Sequence, residues 1–162
     1  MVGSISAGSF LDGVSLVRLE TIVVIDRAPQ EVFDYVTAPH LWAAWHPATA
    51  SVSDVPERPI VVGETVRENI DVGFKQFATT WTVVECDSPR SWVIVTDSGE
   101  GVARIRYEVT PMGGGSRFRR ILEYRSRFLP WRAIDSWLMR WVLGRQSRRA
   151  LDQLKGVLEN RA

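Results

Sequence analysis

The chain of 162 residues is poor in cysteine and histidine and holds lysine only at Lys75 and Lys155. Its one cysteine, Cys86, excludes an intrachain disulfide, which fits a reducing compartment and a cytoplasmic location. The two histidines, His40 and His46, do not stand at a helical ligand spacing, and no Cys or acidic cluster accompanies them. No metal or cofactor is therefore expected. No apolar run approaches the roughly 18 residues of a membrane span, so an integral membrane segment is not expected either. An excess of one charge is also missing. Twenty basic against 19 acidic residues leave a net charge of +1, which offers no electrostatic reason to bind nucleic acid. The basic stretch Arg140, Arg145, Arg148 and Arg149 has Asp152 and Glu159 nearby and reads as a solvated helix face. The sequence has no Gly-x-Ser-x-Gly elbow. Gly113-Gly114-Gly115 lacks the lysine and helix of a phosphate loop and reads as a hairpin turn.

What is present is ordinary globular material, 45% hydrophobic and 24% charged. Residues 1–15 are Gly/Ser-rich, without a basic start or an apolar run, and read as a loose leader and not a signal peptide. Residues 16–160 read as one domain.

Val17 to Asp26, rich in Val and Ile, reads as a strand. Pro29 then opens a short helix with Val32, Phe33 and Val36 on one face. Thr37 is placed to cap a second helix, in which Leu41, Trp42 and Trp45 share a side before Pro47 stops it. From Ala48 to Arg125 the Gly, Pro and Ser punctuation is that of hairpins, with strands near 48–53, 64–72, 75–87, 91–98, 102–111 and 116–126. After Pro130 the period becomes helical. Trp131, Ile134, Leu138 and Trp141 form one stripe, and Leu151, Leu154 and Leu158 another beyond Gly144, where a bend or break is expected. This order suggests an α+β fold in which a curved sheet wraps a helix and encloses a cavity.

Strand alternation assigns the inward side. Ile105, Tyr107 and Val109 oppose Arg104, Arg106 and Glu108, while Phe77, Thr79, Trp81 and Val83 share a face. Two charges break the pattern. Glu68 shares a side with Val66, Ile70 and Val72, and Arg120 shares one with Phe118, Leu122 and Tyr124. Truncating one member of a buried ion pair costs about 3–5 kcal/mol, so an isolated inward charge is expensive. Glu68 and Arg120 either pair across the interior, meet polar groups of a ligand, or reach solvent at strand ends. Of the seven tryptophans, Trp81 and Trp141 are the expected pocket residues, because flat rings suit an aromatic ligand. His46, beside Pro47, reads as a helix-ending residue.

The segments Ile25-Asp26-Arg27-Ala28-Pro29 with Val32-Phe33, Trp45-His46-Pro47, Val62-Gly63-Glu64, Val84-Glu85-Cys86-Asp87-Ser88-Pro89, Gly114-Gly115-Ser116-Arg117 and Leu154-Lys155-Gly156-Val157-Leu158-Glu159 carry a resemblance over residues 16–160. In their order and spacing the chain resembles the helix-grip (SRPBCC) superfamily of START domains, birch-pollen-allergen-like proteins and bacterial polyketide cyclase/dehydrase-like proteins. The resemblance implies a seven-stranded antiparallel sheet gripping a long C-terminal helix, with two short helices after the first strand. It also implies a cavity for apolar or aromatic small molecules, and no shared catalytic motif.

The first functional expectation is a hydrophobic, aromatic or polyketide-like small-molecule partner. Glu68, Phe77, Trp81, Tyr107, Arg120, Leu122, Tyr124, Leu138 and Trp141 would bind it, with Glu68 and Arg120 at its polar end. The second is a cyclase/dehydratase without metal or cofactor, in which Arg120 stabilises an enolate and Glu68 or Tyr107 relays a proton. The third is a lipid or quinone chaperone with peripheral membrane contact, which needs the Trp131–Trp141 segment exposed.

Overall fold

The computed structural model describes residues 17–73, 75–99, 101–127 and 137–160. The expected leader, together with Trp131 and Ile134, lies outside the described residues. Seven strands form one antiparallel sheet in the order β1-β7-β6-β5-β4-β3-β2, where β1 is Val17–Ile25, β2 Thr49–Ser53, β3 Thr65–Asp71, β4 Gln76–Asp87, β5 Ser91–Ser98, β6 Gly101–Met112 and β7 Gly115–Ser126. The helix α1 is Pro29–Val36, the short helix α2 is Trp42–Trp45, and α3 is Trp137–Glu159. A 3-10 turn, Pro39–Leu41, links the first two. No helix among the described residues is long and apolar enough to cross a membrane.

The strands form where alternation predicts them because one face of each is apolar. Ile105, Tyr107, Val109 and Phe118 are buried, while Arg104 and Arg106 lie on the opposite face and share Glu85 at 2.9 Å each. Also on that outer face, Arg119 bridges Glu20 and Glu108, both at 2.8 Å. Register slips occur between Thr49 and Ser51 and between Val83 and Glu85. Neither moves Glu68 or Arg120 off the inner face.

Thr37 closes α1 and does not open the next helix. Its Oγ1 donates to the Phe33 carbonyl at 2.8 Å, and Ala38 precedes the 3-10 turn. A threonine whose hydroxyl reaches back four residues ends a helix as readily as it starts one. Trp42 and Trp45 are buried, and Trp42 Nε1 donates to the Val36 carbonyl at 3.0 Å, which fixes α2 against α1. Trp45, Trp92, Tyr107 and Phe118 make an aromatic cluster with neighbouring ring centroids 5.2–6.5 Å apart.

The expected break at Gly144 does not occur, and α3 is continuous. Ala150, Leu151, Leu154 and Leu158 are buried against the sheet side. The end of α3 is tied to the first corner of the chain. Glu159 Oε1 accepts from the Asp26 amide at 2.8 Å, Lys155 Nζ donates to the Val24 carbonyl at 2.7 Å, and Ser116 Oγ donates to the Arg27 carbonyl at 2.6 Å. Beside this corner, a Cβ on Gly115 would overlap the Ile25 backbone oxygen, whereas one on Gly144 would meet nothing within 4 Å.

Two glycine substitutions separate these situations. Gly144→Ala should stabilise the protein by about 0.5–1 kcal/mol in urea unfolding, as expected for a helix interior with free space. Gly115→Ala should destabilise it by about 1–3 kcal/mol, because backbone must give way. A destabilised Gly144→Ala protein would mean that α3 is not straight there.

Candidate functional site

Between the concave face of the sheet and α3 lies a cavity of about 420 Å³. Alternate residues of successive strands wall it: Glu68 and Ile70, Phe77, Thr79 and Trp81, Ile94 and Thr96, Ala103, Ile105 and Tyr107, then Arg120, Leu122 and Tyr124. α3 adds Leu143, Gln146 and Ser147, and the α2 end adds Trp45, His46 and Thr49. The ladder places Tyr107 opposite Arg120 and Trp81 opposite Val66, toward the aromatic cluster. That end is enclosed: Arg120, Tyr107 and Trp81 are each 4% exposed, and Glu68 is 6%. Val17, Ser98, Gly101 and Tyr124, at the other end of the strands, are partly exposed.

The buried end concentrates polar chemistry in an apolar wall. Glu68 Oε1 accepts from Thr49 Oγ1 at 2.5 Å, and its Oε2 accepts from Trp81 Nε1 at 2.7 Å. Burial pushes the Glu68 carboxyl up, against the downward pull of those two hydrogen bonds and of the Arg120 charge. Burial also pushes the Tyr107 phenol up, so it stays protonated at neutral pH. The His46 ring is enclosed although the residue keeps some surface. Desolvation first, and the Arg120 charge second, drive its pKa down to about 3, so the imidazole is neutral. Its Nδ1 lies 3.4 Å from Thr49 Oγ1. Arg120 donates from Nη1 to Ser147 Oγ at 3.1 Å, and its Nε, buried, has no hydrogen-bond partner. The buried Trp45 Nε1 has none either. Among the described residues, no ion pair joins Glu68 to Arg120.

Glu68, Phe77, Trp81, Tyr107, Arg120, Leu122 and Tyr124 thus come together around one cavity. The Leu138 side chain lies outside the described residues. Trp141 is not in the wall. It is 50% exposed, with the Arg145 guanidinium 5.5 Å from its ring centroid. The cause is helical phase. In a continuous α3, position 141 falls with exposed Arg145 and Arg148, while Ser147, Leu151, Leu154 and Leu158 share the inner stripe. That stripe was the available signal for Ser147, which the sequence reading passed over. Trp45 and Thr49 also line the cavity without a sequence signal that marks them as site residues. His46 does end α2, and it lines the cavity as well.

The two buried titratable groups have opposite pH signatures. His46 is depressed, so its contribution is present above about pH 6.5 and is lost as pH falls toward 3. Glu68 is raised, so its contribution is present below 4.5 and is lost as pH rises through its elevated pKa. His46→Asn should therefore flatten the acid limb of a stability–pH curve between about pH 6.5 and 4.5 by on the order of 1–2 kcal/mol. Glu68→Gln should flatten the limb above 4.5. Acid limbs of identical slope in wild type and His46→Asn would contradict the enclosed imidazole.

Among known proteins, the Zhui aromatase/cyclase from a Streptomyces species superposes with a TM-score of 0.72 at 14% identity, covering 91% of this chain and 96% of that one. The di-domain ARO/CYC BexL gives 0.70 at 19% identity, with 91% of this chain covering 51% of that one. Ara h 8.0201 gives 0.62 at 13% identity, with 90% and 100% covered. At such identities the likeness shows the helix-grip fold alone. No curated protein matches the chain. The family model described as polyketide cyclase/dehydrase and lipid transport matches residues 17–159, from the first residue of β1 to the last of α3. The chain belongs to that family.

Proposed function

We propose that this protein binds a hydrophobic small molecule, aromatic or polyketide-like in shape, in the cavity between the sheet and α3. The cavity itself carries the reading. At about 420 Å³ it falls within the roughly 300–1,000 Å³ of small-molecule sites, and its wall is mostly apolar by area with polar groups converging at the Arg120 end. Trp45, Trp81, Phe77, Tyr107 and Tyr124 offer ring faces and edges to a flat guest. Glu68 and Arg120 orient its polar end. Titration with the neutral fluorophore N-phenyl-1-naphthylamine should give saturable binding. Ala103→Phe, which projects a ring into the cavity, should weaken it at least about tenfold, or 1.4 kcal/mol, without changing the circular dichroism. Equal binding by both proteins would place the probe elsewhere and contradict the reading.

A second reading, a cofactor-independent cyclase/dehydratase, is favoured by one observation. A guanidinium, a protonated phenol and a carboxyl pushed toward its neutral form share one buried end of the cavity. Folding a poly-β-ketone there would bring an enolate carbon onto a distant carbonyl. The new carbon–carbon bond leaves an alkoxide that takes a proton, and loss of a proton and hydroxide then releases water. Holding the chain folded can supply up to roughly 7–11 kcal/mol of the barrier. Arg120 would stabilise the enolate, and Glu68 or Tyr107 would carry the proton, worth about 10²–10⁴-fold. Arg120→Leu should abolish cyclisation of a diketone surrogate and spare binding of the neutral fluorophore. Surviving turnover would remove Arg120 from the mechanism.

A further inference from the structure

Arg120 is the charged element of the site that a purely apolar guest leaves unexplained. It is 4% exposed, in mid-strand, opposite Tyr107 on one side and Thr21 on the other. A guanidinium does not deprotonate in proteins, so its charge must be met by something. Its hydrogen bonds to Ser147 Oγ and to the Tyr107 hydroxyl are with neutral groups, and its Nε has no hydrogen-bond partner. Glu68 is a poor counter-ion. Its two oxygens point at Thr49 and Trp81 and no ion pair joins it to Arg120, while burial disfavours its charge against the opposing pull of those two hydrogen bonds and of Arg120 itself. The other groups around this end, His46 and Tyr107, are neutral. Lys75 and Arg125, which also border the cavity, are cations and cannot serve Arg120 as counter-ions.

A buried cation in a hydrophobic cavity, unmatched by the protein, is complementary to a buried anion. We infer that the ligand is an apolar acid, a carboxylate or acidic enol on an aromatic or polyketide-like body, bound with its acidic group inward against Arg120. This rests on the binding reading above and adds to it the class and the orientation of the guest. A neutral carbonyl could accept an N–H but would leave the charge unmatched. An acid held head-out would use Lys75 and Arg125 and leave Arg120 as it is. The apolar body then lies along Ile70, Phe77, Ala103 and Leu122.

The test compares naphthoic acid with its methyl ester by displacement of N-phenyl-1-naphthylamine at neutral pH. The acid should displace the probe at least about tenfold more tightly than the ester from the wild type. Arg120→Gln should bring that ratio to about one with the ester unchanged. Lys75→Gln should leave the ratio intact. The wild-type ratio needs no variant, so it stands even if Arg120→Gln folds poorly. Equal affinity of acid and ester in the wild type would overturn the inference while leaving the binding reading in place. So would an acid preference that survives Arg120→Gln, or one abolished by Lys75→Gln. If the probe itself finds no saturable site, the binding reading fails and the inference falls with it.

Discussion

A sheet of seven antiparallel strands presents more concave face than a single helix can fill, and everything else in this molecule follows from that mismatch. The inner face of the sheet is largely apolar, so it has to be covered. α3 covers it with Leu151, Leu154 and Leu158 at one end, where β1 and α1 close the corner. Farther along, the described side chains that the helix brings to the wall are Leu143, Gln146 and Ser147, and the space stays open as a cavity of about 420 Å³. The aromatic cluster of Trp45, Trp92, Tyr107 and Phe118 forms the floor between the packed part and the open part. Such a cavity forfeits packing energy, which a protein recovers when a ligand fills the space.

The polar groups on the floor are organised by the same geometry. Outward charges on β1, β4, β6 and β7 find partners across the ladder, as Arg119 does with Glu20 and Glu108, and Arg104 and Arg106 do with Glu85. The two inward charges do not pair with each other. Glu68 is held by Thr49 and Trp81, and Arg120 by Ser147 from the helix. The resulting environment keeps His46 neutral and pushes the Glu68 carboxyl up, and among the described residues Arg120 has no ion-pair partner. The same environment serves a carrier that orients an acid and an enzyme that stabilises an enolate, so fold and family alone do not separate the two.

Much of this was legible before any coordinates because a strand has an exact period of two. Once Phe118, Leu122 and Tyr124 are placed inward, Arg120 must follow, and Glu68 is carried in by Val66 and Ile70 in the same way. Helical positions were harder to read. A period of 3.6 accumulates phase error, so Trp141, ten residues and more from the anchoring leucines, falls on the side opposite to the one its own stripe suggests. Thr37 failed for a different reason. Its hydroxyl can serve the end of one helix or the start of the next, and only the position of the Phe33 carbonyl decides. Gly144 lowers helix propensity without forbidding the helix, and packing of the inner stripe overrides it. The contacts among Glu68, Thr49 and Trp81 join three strands and had no local signature at all.

The most direct measurement is native mass spectrometry of freshly purified protein, followed by solvent extraction and identification of what is released. The account predicts one retained organic molecule per chain, apolar in its body and carrying an acidic group. A protein of unshifted mass that also stays empty after exposure to a cell extract would contradict a ligand-binding cavity.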